Sequence, residues 1–212
     1  LQAEKAGLIA GRTATTFVPA GNATRAEASV VLDKTLALIK TEPEVTDYSN
    51  LDKTGTYGPA SGTETVKGNV NVKAPGVTLR NLIIEGDLII AKEVGDGDVT
   101  LNNITVKGKT YIRGGGQNSI HINGGQYNEV IIEKTATGAV RVVVVDNTGL
   151  QVTIAENAAG EEIILEGQFK NVTVKADNVN VTTQANTTIQ EFKVQSGLHN
   201  VKVELAEGSS VE

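Results

Sequence analysis

The sequence predicts a mainly β protein: a right-handed parallel β-helix of about six to seven coils behind a short α-helical N-terminal segment. Three observations carry this. Apolar residues come in pairs at i and i+2, the pairs return about every twenty residues, and Gly- and Asn-rich corners separate them. One column reads Leu88/Ile90, Thr110/Ile112, Val130/Ile132, Val152/Ile154, Val172/Val174 and Phe192/Val194. A second reads Val77/Leu79, Val99/Leu101, Ile120/Ile122, Val140/Val142, Ile163/Leu165, Val179/Val181 and Val201/Val203. A third, Leu82/Ile84 and Ile104/Val106, lies between them and then fades. Side chains at i and i+2 share one face of a strand, so each pair points into the coil and its neighbours point out. A single coil cannot bury its apolar face, whereas stacked coils build one continuous core. Roughly two dozen aliphatic side chains at ~1.5–3 kcal/mol each work against the conformational entropy of ordering the chain. An antiparallel sandwich ranks second, because its strands need not hold one phase over so many repeats.

The elements divide the chain into a helical segment over 1–40, a linker over 41–62 and the β-helix over 63–212. At the N-terminus, Leu1–Ala10 is Ala-rich and compatible with a helix. Thr24-Arg25-Ala26-Glu27 then forms a capping box, in which Thr and Glu each satisfy a free backbone N–H of a new helix. That helix is expected to run to about Ile39 with Ala28, Val31, Leu32, Leu36 and Ile39 on one face, and to cover an open end of the coil. Between 41 and 65, Pro43, Pro59 and scattered Thr, Gly and acidic residues read as a linker or lead-in strand. The coil itself begins with Val70/Val72. Its corners are Gly95–Gly97 and Gly114–Gly116, with Asn81, Asn102 and Asn123 at strand exits.

Composition excludes several function classes. The net charge is −6, and neither a basic stripe nor an aromatic stacking series is visible, so nucleic acid is not expected as a partner. No apolar run reaches transmembrane length. Cysteine is absent, which removes disulfides and thiolate metal sites. Methionine is absent too, so the chain is expected to be a processed product or part of something longer. Four Tyr, three Phe and no Trp leave little for stacking on sugars.

The N-terminal residues carry a family resemblance. Ala6-Gly7-Leu8-Ile9-Ala10-Gly11, Phe17-Val18-Pro19 and Ala23-Thr24-Arg25-Ala26-Glu27 together resemble the latter part of an S-layer homology repeat. The order is helix, Gly-rich loop, Phe-x-Pro and a Thr-Arg-Ala-Glu helix start. The resemblance implies an anchor to secondary cell-wall polysaccharide of Gram-positive-type envelopes, an extracellular location at the cell wall or S-layer, and wall-glycan contacts from Thr24, Arg25 and Glu27. The alternative role for Arg25 is structural, in the first turn of its helix. Because such repeats act in threes and this one is incomplete, the fragment alone is expected to bind wall material poorly. Gly55-Thr56-Tyr57-Gly58-Pro59 and the stretch from Gly76 to Leu101 also resemble β-helical modules that follow these repeats in secreted bacterial proteins.

Candidate chemistry is sparse. Asp96-Gly97-Asp98 lacks the further carboxylates of an ion loop and reads as a turn, so no metal site and no cofactor are assigned. His121 and Arg141 fall on outward positions one coil apart, but no carboxylates gather around them as a lyase or hydrolase requires. No nucleophile elbow and no phosphate-cradling loop is present. One outward stripe stands out: Ile89, Tyr111 and Ile131 on consecutive coils, with Lys109 and Arg113 flanking the tyrosine. It can bind a polysaccharide or protein ligand, or dock the acidic linker, and the missing Trp favours docking. The expected function is therefore a non-catalytic cell-surface or S-layer-associated module whose β-helix is a structural or glycan- or partner-binding unit. A β-helical polysaccharide lyase or hydrolase is the alternative.

Overall fold

A computed structural model describes residues 25–40 and 46–212. They fall in two compact units, residues 1–46 and 47–212. The first holds helix α1 (Arg25–Lys40). Arg25 is exposed at its first position, as are Ala28, Val30 and Leu32 further along, while Val31 is half-buried. Thr24, the side chains of Glu27, Leu36 and Ile39, and the helix expected over Leu1–Ala10 lie outside the described residues.

The second unit is a parallel β-solenoid, and every strand pair in it is parallel. Sheet I stacks Gly55–Tyr57, Val77–Arg80, Val99–Asn102, Gly116–Asn123, Ala139–Val145, Glu162–Glu166, Asn180–Thr183 and Lys202–Glu204. Sheet II stacks Val70–Val72, Leu88–Ile90, Thr110–Ile112, Val130–Ile132, Gln151–Ile154, Gln168–Val174, Thr188–Val194 and Ser210–Val211. Sheet III is short: Glu64–Val66, Leu82–Ile84, Thr105–Val106 and Gln126–Tyr127. Eight strands on each long face enclose about seven turns of chain. The period-2 pattern explains the packing, since the inward pairs of all three columns are buried until the last coil.

Three expectations are corrected. The coil starts earlier than residue 63: Gly55–Tyr57 pairs with Val77–Leu79, and Leu51 bridges to Val72. The stretch 47–62 is thus part of the solenoid and does not lie over the outward stripe. Second, the stacking register in sheet I differs by two residues in two places. Ile120 lies opposite Val142 rather than Val140, across a bulge that follows Gly116, and Val181 rather than Val179 lies opposite Ile163. A shift of two keeps every side chain on its own face, so an apolar alternation cannot reveal it. Third, the last inward pairs are not buried: Val194 is 47% and Val203 39% exposed, since no further strand pairs with them among the described residues. The column between the two long faces does fade as a sheet, ending at Gln126–Tyr127. Phe169, Ile189 and Val211 form a later row of their own at the start of the last three strands of sheet II.

The corners use residues that tolerate left-handed backbone. Asn81 and Asn103 sit at φ 53° and 54°, a region where a short amide is accepted and branched side chains are not. The Asn103 amide donates to Asn81 Oδ1 at 3.0 Å, and Asn123 donates to Asn102 Oδ1 at 2.8 Å, so two adjacent asparagine ladders tie the coils together. At Gly125, φ is 85° and a Cβ would lie 2.2 Å from the Ile104 carbonyl oxygen. Only glycine fits there.

Candidate functional site: the outer face of sheet II

Sheet II turns one side to the core and the other to solvent, and its outer central row is read directly from strand register. Asn71, Ile89, Tyr111, Ile131, Thr153, Thr173 and Lys193 stand on successive strands. The predicted stripe of Ile89, Tyr111 and Ile131 is therefore one contiguous row. Its exposure is less than expected: Ile89 and Tyr111 are half-buried and Ile131 only 9% exposed. The residues two before and two after a row member point the same way, and around Tyr111 and Ile131 they are all long and charged: Lys109, Arg113, Glu129 and Glu133.

On one side, Lys109 Nζ lies 3.2 Å from Glu129 Oε2, and the Thr153 hydroxyl donates to Glu129 Oε1 at 2.9 Å. Partial burial works to raise the Glu129 carboxyl, but the Thr153 hydrogen bond and the Lys109 ammonium outweigh it and hold the group below the usual carboxylate range. Hydrogen bonding to Glu129 in turn raises the Lys109 ammonium. Asp87 Oδ1 accepts the Lys109 backbone N–H at 2.8 Å, locking that corner.

On the other side, Arg113 Nε donates to Glu133 Oε2, and Asn157 Nδ2 donates to Glu133 Oε1 at 3.2 Å. The Arg113 guanidinium stands 5.2 Å from the Tyr111 ring centroid, a cation–π contact worth ~0.5–1 kcal/mol at an exposed site. Beside this row runs a groove of about 490 Å³, lined by Asn71, Lys73, Ile89, Ala91, Lys92, Glu93, Arg113, Glu133, Lys134 and Asn157. At its far end Lys134 Nζ lies 2.9 Å from Glu161 Oε1, and the Thr135 hydroxyl donates to Glu161 Oε2 at 2.5 Å. The Glu161 side chain is wholly buried.

Of the residues singled out in the sequence, the structure brings Ile89, Lys109, Tyr111, Arg113 and Ile131 together on this face. Arg25 sits in the separate helical unit, and Thr24 lies outside the described residues. His121 and Arg141 stand on neighbouring strands of sheet I but are not opposite each other. His121 stands opposite Thr100 and Val143, whereas Arg141 stands opposite Ile164 and bonds Glu166. Asp96 lies against Gly116, next to a hollow of about 280 Å³ lined by Asp96, Gln117, Thr137 and Ala139. No group of three or more His, Cys, Asp or Glu side chains able to hold a metal occurs among the described residues. Sequence reasoning missed Glu133, Thr153, Lys73, Lys92 and Asn157. A signal existed for Glu133, which follows Arg113 by 20 residues and so sits one coil on at the same lateral position. Lys92 sits in a single turn of 3-10 helix, Lys92–Val94, where no period-2 pattern applies.

Comparison with known proteins adds a partial match. No protein-family profile and no curated protein matches the chain. One chain of the solved structure of chitinase ChiW from Paenibacillus sp. str. FPU-7, described as a bacterial cell-surface-expressed multi-modular enzyme machinery, is 64% identical. That match covers 32% of this chain and 97% of the other, with a TM-score of 0.31.

Proposed function

We propose that this chain is a non-catalytic module of a cell-surface protein, in which the solenoid presents a glycan-binding face. The N-terminal helix, with Arg25 at its start, belongs in this reading to a wall-anchoring region of S-layer homology type whose partner is secondary cell-wall polysaccharide. The coil is taken as right-handed, following the general preference of parallel crossovers.

The observation that carries the reading is the outer face of sheet II. Tyr111, with Arg113 above it, offers an aromatic and cationic surface, and the ion pairs on both flanks hold donors and acceptors in place on rigid strands. Polar groups that are already ordered lose little entropy when a hydroxyl-rich polymer arrives. The same geometry is ill-suited to hydrolysis. A glycosidase needs one carboxyl kept protonated near neutral pH. Here Glu129 is held below its ordinary range, and Glu133 is committed to Arg113 and Asn157.

The test is retention of the full chain in affinity gels containing neutral polysaccharides (soluble chitin and cellulose derivatives) or acidic ones. Wild-type protein is expected to be retarded by at least one of them, and Tyr111→Ala to lose most of that retardation while melting within a few degrees of wild type. Absence of retardation by every polymer at millimolar sugar concentrations overturns the reading.

A further inference from the structure

We infer that the groove beside Tyr111 takes an acidic, carboxylate-bearing polysaccharide laid along the coil axis, with Lys73 and Lys92 as the groups that recognise its charge. This rests on the glycan-binding reading above and adds to it the class and direction of the ligand.

Direction follows from the lining. Lys73, Lys92, Arg113 and Glu133 come from successive coils, so the groove crosses the strands and runs parallel to the stack. Each coil advances it by about 4.8 Å, close to the length of one pyranose unit. A linear polymer of sugars therefore meets a comparable wall at every step. Ile89 and Ala91 give the floor an apolar strip against which a ring face can lie.

Charge follows from the pairing. Arg113 is neutralised by Glu133, and Lys134 by the buried Glu161. Lys73 and Lys92 have no ion-pair partner among the described residues, although the chain as a whole carries net charge −6. Glu93 is the one carboxylate of the lining without a cation, which leaves the unpaired set positive. Two free ammonium groups in a groove of an otherwise acidic protein suit an anionic ligand. Asn71 is also among the lining residues, and its side-chain Oδ1 is buried without a hydrogen-bond partner, so a polar side chain at the groove wall has bonding capacity left over. A nucleic acid fits worse, because the sequence has neither a basic stripe to follow its closely spaced phosphates nor an aromatic series on which bases could stack.

The experiment uses the full chain and three probes: polygalacturonate, its methyl ester and poly-glutamate. Titration calorimetry at low and moderate salt reads the affinity of each. Polygalacturonate is expected to bind, with affinity falling as salt rises. The methyl ester, which keeps the sugars and loses the charge, is expected to bind about tenfold more weakly or worse, as is poly-glutamate, which keeps the charge and loses the sugars. The double variant Lys73→Gln/Lys92→Gln is expected to lose about tenfold toward polygalacturonate at an unchanged melting temperature. Lys170→Gln, outside the groove, is expected to bind as wild type. Equal binding of the methyl ester, or of the double variant, overturns the acidic assignment while leaving glycan binding intact. Equal binding of poly-glutamate shows a surface for acidic peptides and overturns it too. Failure of the chain to bind any sugar polymer removes the underlying reading instead.

Discussion

Glu129 and Lys109 show how one outward ion pair couples the site to pH. The folded Glu129 carboxyl is lowered, so its contribution to stability is present above the ordinary carboxylate range and is lost as pH falls through the folded value. The folded Lys109 ammonium is raised, so its contribution is present below the ordinary lysine range and is lost as pH rises through the folded value. The pair is therefore complete between those limits, and Glu129→Gln is expected to flatten the acid side of a stability–pH curve. An unaltered acid limb in urea titrations from pH 3 to 7 would count against it. A second pair behaves asymmetrically. Lys134 is half-exposed whereas Glu161 is wholly buried. Lys134→Met strands a buried carboxylate and is expected to cost about 3 kcal/mol. Glu161→Gln keeps an acceptor for Thr135 and lets the lysine turn to water, for a cost of about 1 kcal/mol. Chemical denaturation of the two variants settles the order, and a larger loss from Glu161→Gln would refute the argument.

At the scale of a strand, parity decides what a substitution does. Val172 is fully buried and Thr173 points out, opposite Lys193 on the next strand. Val172→Asp buries an unpaired carboxylate and is expected to cost about 4 kcal/mol or more, whereas Thr173→Asp gains a lysine neighbour and is expected to stay within about 1 kcal/mol. Equal losses in the two would show that the strand is turned the other way. The sequence alone points to the pair Val152 and Thr153 for the same test, with Thr153→Asp silent. The structure alters that choice. Thr153 donates a hydrogen bond to Glu129, and an aspartate there would set two carboxylates against each other.

Across the whole solenoid each coil touches only its neighbours, so stability depends on position along the stack. At the N-terminal end Tyr48 and Leu51 are buried over the first coil, and the Tyr48 hydroxyl donates to Glu64. At the other end Val194, Val203, Leu205 and Val211 are exposed on the last coil. Hydrogen exchange is therefore expected to be slowest in Val130–Ile132 and Ala139–Val145 and fastest in Lys202–Glu204 and Ser210–Val211. Uniform protection from end to end would mean that the stack opens all at once.

What the sequence by itself determined was the coil, its inward columns and the stripe at Ile89, Tyr111 and Ile131. Those are properties of a period-2 pattern that repeats, and a repeat can be read without coordinates. Its blind spot was any change that preserves parity. The two-residue register shifts at Ile120 and Val181 leave the apolar alternation intact, and the one at Ile120 sets His121 opposite Val143 rather than Arg141. The start of the coil at Tyr48 and Leu51 was hidden because a covering segment need not alternate. The groove was decided by tertiary structure alone. Lys73, Lys92, Arg113 and Glu133 reach it from different coils, one of them from a 3-10 turn, and only stacking at strand spacing brings them onto one wall.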